Sequence, residues 1–222
     1  MQISLTEENY IKAIYSLSSK HPAEGVSTNE LSNYFNNKAA SVTDMLKRLA
    51  DKKVINYQKY KGVELSAKGL KMAIKIVRKH RLWEVFLLEK LNFKWDEVHE
   101  IAEQLEHIQS DELIQRLDKF LGEPKFDPHG DPIPSALGQI NSIKAKPLIQ
   151  FTKKGNYILM GVCNHSKEFL QHLTHMGLKI GDSIKVEAIN DFDNLYKVKI
   201  NNKHIQFFSS KVLSNILVEI KK

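Results

Sequence analysis

The chain has 222 residues, 42% of them apolar and 27% charged, with one cysteine and a formal net charge of +7. This composition suits one large or two small domains with ordinary cores and excludes low-complexity and disordered classes. The lone Cys163 excludes an internal disulfide or a multi-cysteine zinc site, no run of about 18 apolar residues is available to span a bilayer, and MQISLTEENYIKAIY lacks a secretory pattern, so a cytoplasmic protein is expected.

The charge is partitioned. Residues 38–81 hold thirteen lysines and arginines against three acids, a net of +10, and residues 82–131 hold five against thirteen, a net of −8. A basic block of this size can neutralise phosphates. An acidic block containing histidines can hold a hard or borderline cation. Solvated helix faces are the plain alternative for both.

In chain order, Ser4-x-x-Glu7 is a capping box opening a helix over 5–19, with Leu5, Tyr10, Ile14 and Leu17 at helical spacing. His21, Pro22 and Gly25 end it. Ser27-x-x-Glu30 opens a short second helix through Leu31 and Phe35, and Asn36-Asn37-Lys38 forms a turn. A third helix covers 39–52, with Val42, Met45, Leu46 and Leu49 on one face. Val54–Tyr57 and Gly62–Leu65 are two short strands around a basic tip at Lys59-Tyr60-Lys61.

This order is that of a winged helix-turn-helix. Burial of Leu31, Phe35, Val42, Leu46 and Leu49 turns Lys38, Ser41, Thr43, Asp44, Lys47 and Arg48 outward. Small and hydroxyl residues permit close approach to a major groove, the cations meet phosphates, and the wing tip reaches the backbone or minor groove. The candidate DNA contacts are therefore Lys38, Ser41, Thr43, Lys47, Arg48, Lys59 and Lys61. A three-helix bundle with a basic face is the alternative.

Ser66 starts a long helix over 67–91, Asp96 caps one running to His107, and Ser110-Asp111 caps another running to Leu121. Gly122, Pro124, Pro128, Gly130, Pro132 and Pro134 mark a linker, and residues 138–146 are polar. Short β runs follow at 148–152, 157–163, 183–188, 196–200, 204–208 and 217–220, interrupted by a helix over 166–175. They predict a small barrel.

The acidic block contains VHEIAEQLEH. His99, Glu103, Glu106 and His107 stand at i, i+4, i+7 and i+8, within roughly a 100° arc of one helix. His80 and Glu84 make a second stripe at i and i+4. Clustered carboxylates repel each other, and a cation offsets that. Glu103 stands where a zinc-protease HE-x-x-H motif needs histidine, which argues against hydrolysis.

At TEENYIKAIYSL, the winged helix, RKHRLWEVFL, VHEIAEQLEHIQSDEL and LGEPKFDPHGDPIP, the chain resembles the diphtheria-toxin-repressor family of metal-dependent transcriptional regulators, especially its manganese transport regulator branch. FLQHLTHMGLKIGDSIKV resembles the small Src-homology-3-like, FeoA-type barrel of many members. The fold class implied is mainly α with a β domain. Residues 1–70 form the winged helix-turn-helix and 71–138 a helical metal-binding and dimerisation domain, with a linker at 139–147 and the FeoA-type Src-homology-3-like β-barrel at 148–222.

The resemblance implies metal ligands at His80, Glu103, Glu106 and His107, with Asn9 on the first helix. It implies ancillary ligands at Glu84 and His99, at His165 and Glu168 in the barrel, or at Asp127 and His129 in the linker. Iron-responsive members carry cysteine where this chain has Glu103, and an oxygen ligand there favours Mn(II), with Fe(II) and Zn(II) as alternatives. Lys12 stands where the manganese branch has glutamate. The implied function is a metal-activated repressor of metal-uptake genes that binds double-stranded operator DNA as a homodimer, with Trp83, Phe86, Leu113, Leu117 and Leu121 as candidate dimer contacts. No enzyme activity, membrane partner or small organic substrate is expected. The alternatives are an Fe(II)-responsive regulator and a carboxylate–histidine metalloenzyme.

Overall fold

The computed structural model describes residues 3–18, 25–58, 62–140, 144–151, 154–190, 192 and 194–221. They fall into two compact units. One comprises residues 1–80, 104–111 and 134–139, and the other residues 81–103, 112–133 and 140–222.

In the first unit, α1 (Leu5–Ser18), α2 (Thr28–Tyr34) and α3 (Ala39–Asp51) precede a hairpin of β1 (Ile55–Gln58) and β2 (Gly62–Leu65). The two strands pair antiparallel from Ile55 opposite Leu65 to Gln58 opposite Gly62. Ile11, Ile14, Leu31, Val42, Leu46, Leu49, Val54 and Val63 share one core. Periodicity explains it, because apolar positions on all three helices fall on inward faces. Asn36 takes φ 47°, the left-handed conformation that the tight turn between α2 and α3 requires. The capping box opening α2 is complete: the Ser27 hydroxyl accepts from the Glu30 amide while the Glu30 carboxylate accepts from the Ser27 amide. Ser27→Ala is expected to destabilise the unit by about 1 kcal/mol, read from its denaturant midpoint.

The long α4 (Ala67–Leu91) follows, then α5 (Val98–Leu105) and α6 (Asp111–Phe120). Ser66 caps α4 by accepting from the Gly69 amide. Gly69 is required because a Cβ there would run into the Val54 carbonyl.

In the second unit, β3 (Lys146–Pro147), β4 (Gly155–Val162), β5 (Ser183–Asn190), β6 (Leu195–Ile200), β7 (His204–Phe208) and β8 (Ile216–Ile220) form a six-stranded antiparallel sheet in the order β3-β8-β4-β5-β6-β7. Two short helices, α7 (Lys167–His175) and α8 (Ser210–Asn215), accompany it. Leu159, Leu170, Leu173, Ile184, Val198, Phe208, Leu213 and Val218 are buried together.

The strand expected over 148–152 is instead a 3-10 turn at Leu148–Gln150. Pro147 fixes φ at −52°, which suits a turn and ends β3 after two residues. Residue 152, residues 141–143 of the expected linker, and His21 and Pro22 lie outside the described residues.

Candidate metal centre

The second unit holds a buried acid–imidazole cluster. Glu84 comes from α4, and Asp127 and His129 come from the proline-rich segment after α6. Ligand atoms of the three lie within 4.8 Å of one another. Their side chains are 2%, 1% and 0% exposed respectively.

Local chain geometry builds this cluster. Asp127 Oδ1 accepts from the amides of His129 at 2.8 Å and Asp131 at 3.0 Å, closing the loop on itself. Gly130 adopts φ 88° and lies so close to the backbone of Met160 and Gly161 that any Cβ would collide with it. That approach lets the Val162 amide donate to the His129 carbonyl at 3.0 Å, fixing the loop against β4. Arg81 braces the far side, donating to the Pro132 carbonyl and to Asp131 and standing 3.5 Å from Asp127 Oδ2.

His129 Nε2 lies 2.8 Å from the Trp95 carbonyl, which can only accept, so this nitrogen carries the hydrogen. In the neutral ring the Nδ1 lone pair then points inward. Nδ1 is buried without a hydrogen-bond partner, 3.7 Å from Glu84 Oε1. An imidazole oriented by a carbonyl behind it and bare in front is poised as a metal donor.

The electrostatics agree. Burial, then the charges of Glu84 and Asp131, push the Asp127 carboxyl up to about 7 against the pull of His129 and Arg81. Burial lowers the pKa of His129, but Glu84 and Asp127 outweigh it and the net shift is upward. The cluster therefore draws in positive charge, and two oxygen donors with one imidazole suit a hard or borderline divalent ion.

Neighbouring groups extend it. His99 Nδ1 lies 3.2 Å from Glu84 Oε1 and its Nε2 lies 3.5 Å from Glu103 Oε1. Those hydrogen bonds, Glu103 first, push His99 up to about 9 against burial. The His165 ring stacks on His129 with centroids 4.8 Å apart, and its Nε2 lies 3.8 Å from Asp131. Burial pulls the His165 pKa down. Glu168 is exposed in the first turn of α7.

In the first unit the expected ligands are distributed differently. The spacing argument treats 98–107 as one helix, but α5 ends at Leu105, and Glu106 and His107 lie in the turn beyond it. Glu106 Oε2 sits 2.6 Å from His80 Nδ1 and 2.6 Å from Lys12 Nζ. Burial raises the Glu106 pKa, but His80 and Lys12 outweigh it and the net shift is downward. His107 Nδ1 donates to Glu8 Oε2 at 2.6 Å, and Gln109 donates to the other Glu8 oxygen at 2.8 Å. Asn9 is exposed on α1, whereas Glu8 beside it is buried. Sequence reasoning passed over Glu8 because two acids in a first helical turn are ordinary complements to the helix dipole.

On α3, Lys38, Ser41, Lys47 and Arg48 are exposed and Thr43 is half-buried, its hydroxyl donating to the Ala39 carbonyl at 2.9 Å. Lys47 pairs with Asp44 at 3.2 Å. Lys59 and Lys61 lie outside the described residues.

Three family models match. The N-terminal DNA-binding domain of iron-dependent repressors covers residues 2–63, their metal-binding and dimerisation domain 66–135, and the FeoA domain 146–220. The iron-dependent repressor IdeR of Mycobacterium leprae is 33% identical over 134 residues, 60% of this chain and 56% of that protein. A probable metal transport system membrane protein of Chlamydia trachomatis is 49% identical over 70 residues, 32% of this chain and 16% of that protein. The chain thus spans about half or less of these curated relatives. Among solved structures, a manganese-dependent transcriptional repressor in complex with manganese superposes with a TM-score of 0.86 at 29% identity, covering 97% of this chain and 100% of that one. The manganese regulator SloR superposes with a TM-score of 0.77 at 35% identity, covering 100% of both chains. These relatives include repressors and regulators and no named enzyme, and the match to SloR runs the full length of both chains: the protein belongs to the iron-dependent (diphtheria-toxin) repressor family of metal-dependent regulators, with a FeoA domain.

Proposed function

We propose that the chain is a divalent-cation-responsive transcriptional repressor that binds double-stranded operator DNA as a homodimer, with Mn(II) as the favoured ion and metal-uptake genes as its targets. The observation that carries this reading is the buried Glu84–Asp127–His129 trio, whose inward imidazole nitrogen makes no hydrogen bond, in a chain that also carries a winged helix. Glu84, Asp127 and His129 hold the ion, and the Trp95 carbonyl keeps His129 in the donor tautomer. When bound, the ion supplies the fixed positive charge that these acids lack. Oxygen-rich donors without a thiolate support Mn(II) over softer ions.

For the dimer, the support is an aromatic strip in the second unit. Trp83 meets Phe86 edge-on at 5.7 Å, Phe86 lies 6.4 Å from Phe120, and Phe120 is 64% exposed with Leu113 also uncovered. The sequence separately points to the α3 cations as phosphate contacts. Metal favours the DNA-bound arrangement only insofar as it binds that arrangement more tightly.

The experiment is selection of binding sites from random duplex DNA, followed by anisotropy titrations on the selected sequence with Mn(II), Fe(II), Zn(II) or chelator. Affinity should be lowest in chelator and rise most with Mn(II), typically by about 5- to 150-fold for a coupled system. Equal affinity under all four conditions would remove the metal response, and failure to enrich any sequence would remove the operator.

A further inference from the structure

The place between α1, α4 and the turn after α5 is already filled by a cation, the ammonium of Lys12. Its Nζ lies 2.6 Å from Glu106 Oε2 and 3.0 Å from His80 Nδ1, and those two atoms are 2.6 Å apart. The three form a closed triangle. Lys12 is 12% exposed at its side chain, His80 7% and Glu106 1%. Nδ1 of His80 either accepts from the ammonium or donates to the carboxylate, so the triangle stays bonded in either tautomer.

We propose that Lys12 is a built-in counter-ion that closes the His80–Glu106 position to divalent metal and ties α1 to α4 and α5's following turn without any bound ion. An ammonium and a divalent cation cannot share one carboxylate oxygen and one imidazole nitrogen at about 3 Å, because they repel and compete for the same lone pairs. The side chain is also pinned from the acid's side, since the buried Glu106 would otherwise lose its ammonium counter-charge and retain the His80 imidazole. Three further contacts hold α1 in the same unit: Glu8 with His107, Glu8 with Gln109, and Glu7 with Lys52 at 2.7 Å. The first helix is therefore anchored by the chain's own charges, and its attachment does not wait for metal. Only the ion-count part of this inference rests on the proposed metal response.

The test uses the 222-residue chain and the variants K12M, K12R and K12E. The first measurement is hydrogen exchange of the α1 amides in chelator, with no metal and no DNA. Wild type and K12R should protect residues 10–14, and K12M should exchange them at least about tenfold faster. The second is Mn(II) bound per chain by equilibrium dialysis, where K12E, which removes the ammonium and adds a carboxylate, should hold one ion more than wild type. Circular dichroism and K12R separate a lost tether from a lost fold: a folded K12M with unchanged α1 exchange overturns the tether. An unchanged ion count in a folded K12E overturns the closed site. A protein whose DNA binding ignored metal would still give the exchange result, so failure of the functional reading is distinguishable from failure of this one.

Discussion

Replacing Asp127 with asparagine is expected to stabilise the metal-free protein at neutral and alkaline pH while removing most of its stabilisation by Mn(II). The sign follows from proton linkage. Asp127 is pushed up to about 7 in the folded chain, above the ordinary 3.8, so between those values the folded state binds the extra proton. Stability of the metal-free chain therefore falls as pH rises from about 4 to about 7 and stays low above that. Asparagine carries no charge, which removes this decline and relieves the repulsion with Glu84 and Asp131. The same change deletes an anionic ligand. At an Mn(II) concentration of about 100 times Kd, wild type should gain about 2.7 kcal/mol, which at this size corresponds to about 5 to 10 °C in Tm. D127N should gain little. Mn(II) affinity of the wild type should also rise with pH through about 7, as binding displaces the proton on Asp127. Calorimetry at pH 5.5 and 8, with Mn(II) and with chelator, measures all of this. A D127N protein that gained as much from Mn(II) as wild type would remove Asp127 from the ligand set.

The opposite signs of those two effects are not visible in the chain alone. Helices were legible where a cap and a period agreed: Ser27 with Glu30 marks α2, and Ser66 marks the start of α4, whose span of 67–91 is the one the sequence predicts. The wing was legible from two short apolar runs around a basic tip. Less legible was where the acids and histidines of the expected metal stripe point. Glu103 and Glu106 share a stripe on paper, but the helix stops at Leu105, so Glu103 turns to His99 and Glu106 to His80 and Lys12. Asn9 and Glu8 are neighbours in a helix and point about 100° apart, which leaves Asn9 exposed and Glu8 buried. The orientation of His129 depends on Gly130 lying against the backbone of β4, a contact between segments about 30 residues apart that no local pattern encodes. Lys12 reads as the mere absence of a ligand in the sequence, but it is a cation at bonding distance in the structure. The short α8 carries only the Ser209 cap as a signal, since position 212 is valine where a capping box would place an acid.

The second large effect concerns DNA. Neutralising Lys47 and Arg48 together, as K47Q/R48Q, is expected to weaken binding to all sequences alike and to flatten its dependence on salt. Each phosphate contact contributes roughly 0.9 to the slope of log K against log salt, so losing two should reduce the slope by about 1.8. Both side chains are exposed on α3, opposite the buried Val42, Leu46 and Leu49, so the substitutions leave the core untouched. Asp44 supplies a control of opposite sign. It shares this exposed face and holds Lys47 at 3.2 Å, so it occupies one cation and repels phosphate itself. D44N should strengthen binding and steepen the slope, because it frees Lys47 and removes a negative charge facing the duplex. Ser41, exposed one turn earlier, contributes no charge, and S41A should leave the slope as it is while relaxing discrimination between sequences if its hydroxyl reads a base edge. Titrations at several salt concentrations on one selected and one scrambled duplex separate these effects. If K47Q/R48Q kept the wild-type slope, α3 would not be the element lying against the phosphates, and the basic block would have to act through another face.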